Sequence, residues 1–190
     1  DVQHLDPSSP AIRDEVRAVR STLASLDMVA IVETGARFIL DPMRKHYPSL
    51  LSAEGSERRE AFLHDAIDIA SELESPCVSM WSGSNHDQRQ EDEAYDVLGE
   101  ALVRLLDHAD TAGVDLALEP EPGMLVERVD QFHRLRNQLG HPHRLKLSLD
   151  CGHLLVTGEG APHDVIRSEK DLLGCVAIED MKIGVHEHLP

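Results

Sequence analysis

Carboxylates and imidazoles stand in this chain where apolar runs stop. In LALEPEPG, residues 116 to 123, Glu119 ends a mostly apolar run, and Glu121 follows beyond Pro120. A carboxylate at the end of a buried run can ligate a divalent ion or exchange a proton with a bound carbon acid. In SLDCGH, residues 148 to 153, Asp150 closes a run and His153 follows around Gly152, so an acid and an imidazole can reach one cavity from a tight turn. Hard divalent ions take the carboxylate, whereas zinc and manganese accept both donors. The competing reading makes Asp150 a helix cap and His153 a packing residue in the first turn. In IEDMKIGVHEHLP, residues 178 to 190, Asp180 and Lys182 can orient an oxygenated substrate, and His186 and His188 can face one side of an extended loop as metal ligands. An HxH pair arises easily by chance among 12 histidines. It gains weight beside Glu119 and Asp150. Trp81, the single tryptophan, precedes Ser82 and Gly83 and suits an aromatic wall behind a small ligand, or simple packing. His4 and Glu33, at the ends of inferred strands, are further candidates for substrate contact.

The elements that must position these groups alternate. Ser8, Ser9 and Pro10 introduce a helical pattern to Leu26 carrying Val16, Val19 and Leu23, followed by the strand-like MVAIVE at 28 to 33. Helical patterns at 59 to 73, 93 to 112, 126 to 139 and 162 to 173 each lead to a short run, at 77 to 81, 114 to 119, 145 to 150 and 175 to 180. DVQHL at the start reads as the tail of another strand. Apolar strands separated by helices predict a parallel sheet covered on its outer face. Ionisable or aromatic residues at so many strand ends favour a (β/α)8 TIM barrel over an open sheet, which gathers its site at one switch point. No GxGxxG or GxxxxGK[ST] loop follows a strand. A complete barrel takes about 250 residues. The 190 residues are therefore expected to form one domain, an incomplete barrel of about strands 2 to 7, truncated at both ends. Residues 41 to 58 form the longest irregular insert, either over the site or as a solvated loop.

Composition narrows the partners. Against 18 Lys and Arg stand 35 Asp and Glu, a net charge of -17, which repels nucleic-acid backbone and anionic membrane alike. With 41% hydrophobic residues the chain has material for a core, and it contains no apolar run long enough to span a bilayer. Cys77, Cys151 and Cys175 are odd in number and lack CxxC spacing, which favours reduced thiols and a cytoplasmic location. A homo-oligomer is compatible with all of this.

IVETGARF from Ile31, SMWSG at 79 to 83, LALEPEPG, SLDCGH and IEDMKIGVHEHLP together resemble the sugar phosphate isomerase/epimerase group of the xylose isomerase-like TIM barrel superfamily. The resemblance runs from His4 to Pro190 and implies a divalent metal (Mn, Mg, Co or Zn) held by Glu119 and Asp150. It implies that His153 contacts substrate or a further metal. A histidine is usual where this chain has Ala177, which transfers that ligation to His186 or His188, or weakens it. The activity implied is isomerisation or epimerisation of a small sugar or sugar phosphate through an enediolate, with Glu119 and His153 handling protons. The same superfamily includes zinc-dependent apurinic-site endonucleases, for which His153, His186 and His188 would be the ligands. Ala177 motivates a third reading, a non-catalytic metabolite-binding barrel.

Overall fold

The computed structural model describes residues 5–35, 37–179 and 181–187. Its elements are α1 (Ile12–Ser25), β1 (Val32–Glu33), α2 (Ser56–Leu73), β2 (Cys77–Trp81), α3 (Glu91–Ala112), β3 (Asp115–Glu119), α4 (Val129–Gln138), β4 (Leu145–Asp150), α5 (Cys151–Thr157), α6 (Pro162–Glu169) and β5 (Leu173–Ala177). The strands pair in parallel in the order β1-β2-β3-β4-β5. This is a half-barrel: a five-stranded parallel sheet, curled and backed by helices, as an incomplete xylose isomerase-like barrel requires.

Side-chain alternation along each strand explains the curl. Val78 and Met80 of β2, Leu116 and Leu118 of β3, and Leu145, Leu147 and Leu149 of β4 pack outward into one core with Leu98, Leu102 and Leu105 of α3 and Phe132 and Leu135 of α4. The intervening positions carry Cys77 and Ser79, Ala117, and Ser148, which are small enough for the concave face to close on itself. The strands β2 and β4 are not neighbours, yet Ser79 Oγ and Ser148 Oγ lie 3.2 Å apart, and Cys175 Sγ of β5 reaches Ser148 Oγ at 3.2 Å. The runs are thus less uniformly apolar in function than in composition.

Some boundaries differ from the sequence expectation for identifiable reasons. The run MVAIVE contributes only Val32 and Glu33 to the sheet, pairing with Val78 and Ser79. That register sets residues 28 to 30 beyond Cys77, where β2 has not yet begun, so Met28 and Val29 stay exposed. The first helix starts at Ile12, two residues after Pro10, because Ser9 Oγ accepts from the Ala11 N–H and donates to Glu15 ahead of the first turn. The short helix α5, directly after β4, is the one that the capping reading of Asp150 requires. Of the expected strand DVQHL, residues 1 to 4 lie outside the described residues, and Leu5 is not in a strand.

The insert between β1 and α2 docks on the strand ends. Its Ser49 abuts Gly83, which follows β2 with φ +89, and a Cβ at Gly83 would overlap the Ser49 side chain. We expect Gly83→Ala to destabilise the protein by about 1–3 kcal/mol, from both the left-handed backbone and the clash. Urea denaturation measures it; an unchanged midpoint would show that the insert is not seated on β2.

Candidate metal centre

The carboxyl ends of the strands deliver their last side chains to one cavity of about 940 Å³, whose lining includes Glu33, Trp81, Glu119, Glu121, Asp150, His153 and His186. Register explains the convergence, since Trp81 pairs with Glu119 and Asp150 pairs with Ala177 across successive strands. At Asp150 the two sequence readings coincide. Its Oδ1 accepts from the backbone N–H groups of Gly152 at 2.6 Å and His153 at 3.2 Å, capping α5 and fixing the carboxylate at the cavity wall. Gly152 permits this: a Cβ there would stand 3.1 Å from Asp150 Oδ1, 3.1 Å from Glu179 Oε1 and 3.0 Å from Met181 Cε.

Among the described residues, two groups could hold a metal ion. One is Glu119, Asp150 and His153, the other Glu121, His153 and His186, each with one donor atom per residue lying within 4.8 Å of the others. The shared His153 has a 5% exposed side chain. Its Nδ1 lies 3.2 Å from the Pro120 carbonyl and 3.4 Å from Glu119 Oε1, while Nε2 lies 3.5 Å from Glu121 Oε2. A carbonyl only accepts, so this geometry assigns the proton to Nδ1 and the lone pair to Nε2. The Nε2 side is the side of Glu121 and His186, whose Nε2 is 3.6 Å from Glu121 Oε1; the two imidazoles meet edge to face with centroids 4.9 Å apart.

Charge crowding shows what the donor set suits. Burial raises the Glu119 carboxyl to about 9, and the nearby Glu33, Glu121, Asp150 and Cys175 push in the same direction. Glu33 remains accessible at the mouth, yet loss of solvent along the surrounding walls raises its pKa as well, opposed by hydrogen bonds from Ser79 and from the Gly35 N–H at 2.7 Å. Four carboxyl groups around one cavity, with imidazoles between them, form a site that a divalent cation fits. Oxygen and nitrogen donors together suit manganese, cobalt or zinc.

Other sequence candidates fall elsewhere. Lys182 does not line the cavity; its ammonium pairs with Glu187 at 3.3 Å in an exposed turn. His4, Asp180 and His188 lie outside the described residues. Ala177 lines the cavity and offers no donor. Lys45 and His46 of the insert, which the sequence offered as lying over the site, line the cavity, and so does Arg37, which sequence reasoning missed. Its one available signal was its position just after a strand carrying Glu33. His46 stands 5.0 Å from Trp81, edge to face.

Comparison with known proteins agrees with this architecture. The chain belongs to the xylose isomerase-like TIM barrel family, whose model matches residues 3–190. Among solved structures it is similar to an L-ribulose 3-epimerase, with a TM-score of 0.74, 20% identity, and coverage of 90% of this chain and 57% of that one. It is similar to the 3-keto-D-glucoside 4-epimerase YcjR from E. coli, with a TM-score of 0.72, 12% identity, and coverage of 88% and 65%. The IOLI protein with a bound zinc atom gives a TM-score of 0.68 and 16% identity over 90% of this chain and 60% of that one. The chain thus spans less than two thirds of the length of these structures. No curated protein matches it significantly.

A metal that binds Glu119 must displace its proton. Affinity for Mn²⁺ should rise roughly tenfold per pH unit from about pH 6 to 8, and Glu119→Gln should flatten that slope. Calorimetry in buffers of different ionisation enthalpy reads the proton released; a slope unchanged in Glu119→Gln would place the metal in the Glu121, His153 and His186 group alone. Without metal, the folded chain keeps a proton on Glu119 that the unfolded chain loses above the ordinary carboxyl value of 4.5. Stability of the metal-free protein should therefore decline as pH rises from about 4.5 towards about 9. The decline should be reduced in Glu119→Gln, as read by thermal melts across that range.

Proposed function

We propose that this protein is a divalent-metal-dependent isomerase or epimerase of a small sugar or sugar phosphate. The observation that carries the reading is the cluster of Glu119 and Asp150, at the ends of neighbouring strands of a half-barrel, with His153 in the first turn of α5, in a cavity of about 940 Å³. That volume suits a small carbohydrate. The similar structures named as epimerases support the choice of chemistry.

In this reading Glu119 and Asp150 would hold the metal with His153 through its Nε2, and His186, and His188 beyond the described residues, would be further donors. When bound, the ion polarises the substrate carbonyl and the adjacent hydroxyl. Glu119 exchanges a proton with the carbon between them, giving an enediolate that is reprotonated on the same or the neighbouring carbon. His153 Nδ1, 3.4 Å from Glu119 Oε1, is placed to orient that carboxyl. Asp150, fixed by the α5 cap, keeps the ligand geometry constant. Trp81 supplies an apolar wall, and Glu33 a hydrogen-bond acceptor for sugar hydroxyls. His4 and Asp180 remain proposals for substrate contact. Net charge of -17 supports a small-molecule substrate over a nucleic acid, and the free thiols support a reducing, cytoplasmic setting. Among the described residues no helix is long and apolar enough to cross a membrane.

A hydrolytic reading is favoured by one observation, the nitrogen-rich group of Glu121, His153 and His186. The test separates the two. The metal-loaded protein, incubated with a panel of ketoses in deuterated water, should exchange a carbon-bound proton detectable by NMR. Glu119→Gln and Asp150→Asn should each lower that rate by at least about 10²-fold with the fold intact by circular dichroism. Absence of exchange with every ketose, or full exchange in Glu119→Gln, would remove the isomerase reading.

A further inference from the structure

The cavity has a second pole. In a chain with 35 acidic and 18 basic residues, Arg37 and Lys45 both line it on the side of the insert, opposite in charge to the carboxyl cluster. The Arg37 carbonyl accepts from the His46 N–H at 2.6 Å, which ties the two ends of this segment together at the rim. Among the described residues, neither Arg37 nor Lys45 has a carboxylate within ion-pair distance, although most of the other arginines do.

A third cation stands behind them. Arg59 is only 2% exposed, and its guanidinium lies 4.7 Å from the Trp81 ring centroid and 5.4 Å from that of Phe62. Nε donates to the Pro48 carbonyl at 3.0 Å, whereas among the described residues the buried Nη2 has no hydrogen-bond partner and no acid pairs with the group. Burying a charge without a counterion is costly. Trp81, 6% exposed and itself lining the cavity, likewise has a buried Nε1–H with no acceptor among the described residues. Positive potential at this pole is felt by His46: burial lowers its pKa to about 4, and Lys45, Arg59, Arg37 and His186 add to the effect. Its imidazole is therefore neutral near pH 7, a hydrogen-bonding group among cations.

We propose that the ligand is an anionic sugar derivative, bearing a phosphate or carboxylate that Arg37 and Lys45 bind at the insert pole while its polyol end reaches the carboxyl cluster. The inference deepens the isomerase reading and rests on it for the reacting end alone. A charged terminal group supplies the counterion that this pole lacks, and the cations line the same cavity of about 940 Å³ as the carboxyl cluster. The arrangement also gives the segment between β1 and α2 a role beyond packing on the strand ends, since it carries both Arg37 and Lys45. Barrels often bind phosphate with the loops after strands seven and eight; here the cations come instead from the segment after β1.

Binding calorimetry on the full chain, with and without Mn²⁺, tests this using four probes: inorganic phosphate, a ketopentose 5-phosphate, an aldonate and a neutral ketopentose. We expect one of the two sugar anions to bind at least about tenfold more tightly than the neutral ketose, a preference that shrinks as NaCl rises. Which anion is preferred separates phosphate from carboxylate. In Arg37→Gln/Lys45→Gln, whose sites are exposed and whose fold is checked by thermal melting, the preference should fall to near parity. The control Lys170→Gln, away from the cavity, should keep it. Parity in the unmodified protein, or a preference that survives in Arg37→Gln/Lys45→Gln, overturns the proposal. Anion preference in a protein that exchanges no carbon-bound proton would uphold this subsite and reject the isomerase reading.

Discussion

Like charges brought together in a poorly solvated space are the constraint around which this half-barrel is organised. Glu33, Glu119, Glu121 and Asp150 share a cavity, and each is stabilised differently. Asp150 draws two backbone N–H groups from the first turn of α5, where the helix dipole also favours an anion. Glu33 takes the Gly35 N–H. Glu119 has no backbone donor of this kind and keeps its proton instead. The result is a graded set of carboxyl groups, with the least compensated member on the central strand of the sheet.

That central position follows from topology. The strand β3 has two neighbours on each side in the order of the sheet, so its last residue lies between carboxyl groups carried by strands on both flanks. The sheet can hold polar groups there because its hydrophobic burial is on the opposite face, between strands and helices. Core and site are thus separated by one peptide layer. A substitution in the core acts on the site only by shifting that layer, while a substitution of a rim residue leaves the core alone.

Much of this could be read from the residues. Runs of apolar side chains broken by helical spacing located β2, β3 and β4 closely and placed β5 two to three residues late, because α6 stops at Glu169 and the chain enters the sheet at Leu173; the chemistry-bearing positions were visible because an ionisable or aromatic residue ended each run. Glu119, Asp150, His153, Glu33, Trp81 and His186 do meet. Other features depend on information that no local pattern carries. The extent of β1 is set by where β2 begins, as the exposure of Met28 and Val29 shows. The helix α5 is too short for periodicity to register, and its cap competed with the ligand reading of Asp150 although one carboxylate serves as cap and wall together. Arg37, Lys45 and His46 sit in an irregular segment where neither a period of 2 nor one of 3.6 exists. Nothing but tertiary placement shows that they face Glu119.

The contact of Ser79 with Ser148, across an intervening strand, has a further meaning. These hydroxyls and the Cys175 thiol form the floor of the cavity, and they are among the smallest side chains able to satisfy one another by hydrogen bonding. Depth is therefore written into small neutral residues, and charge into the carboxyl groups at the strand ends. With such a division, one larger side chain at the floor would make the cavity shallower without touching the acids at the strand ends.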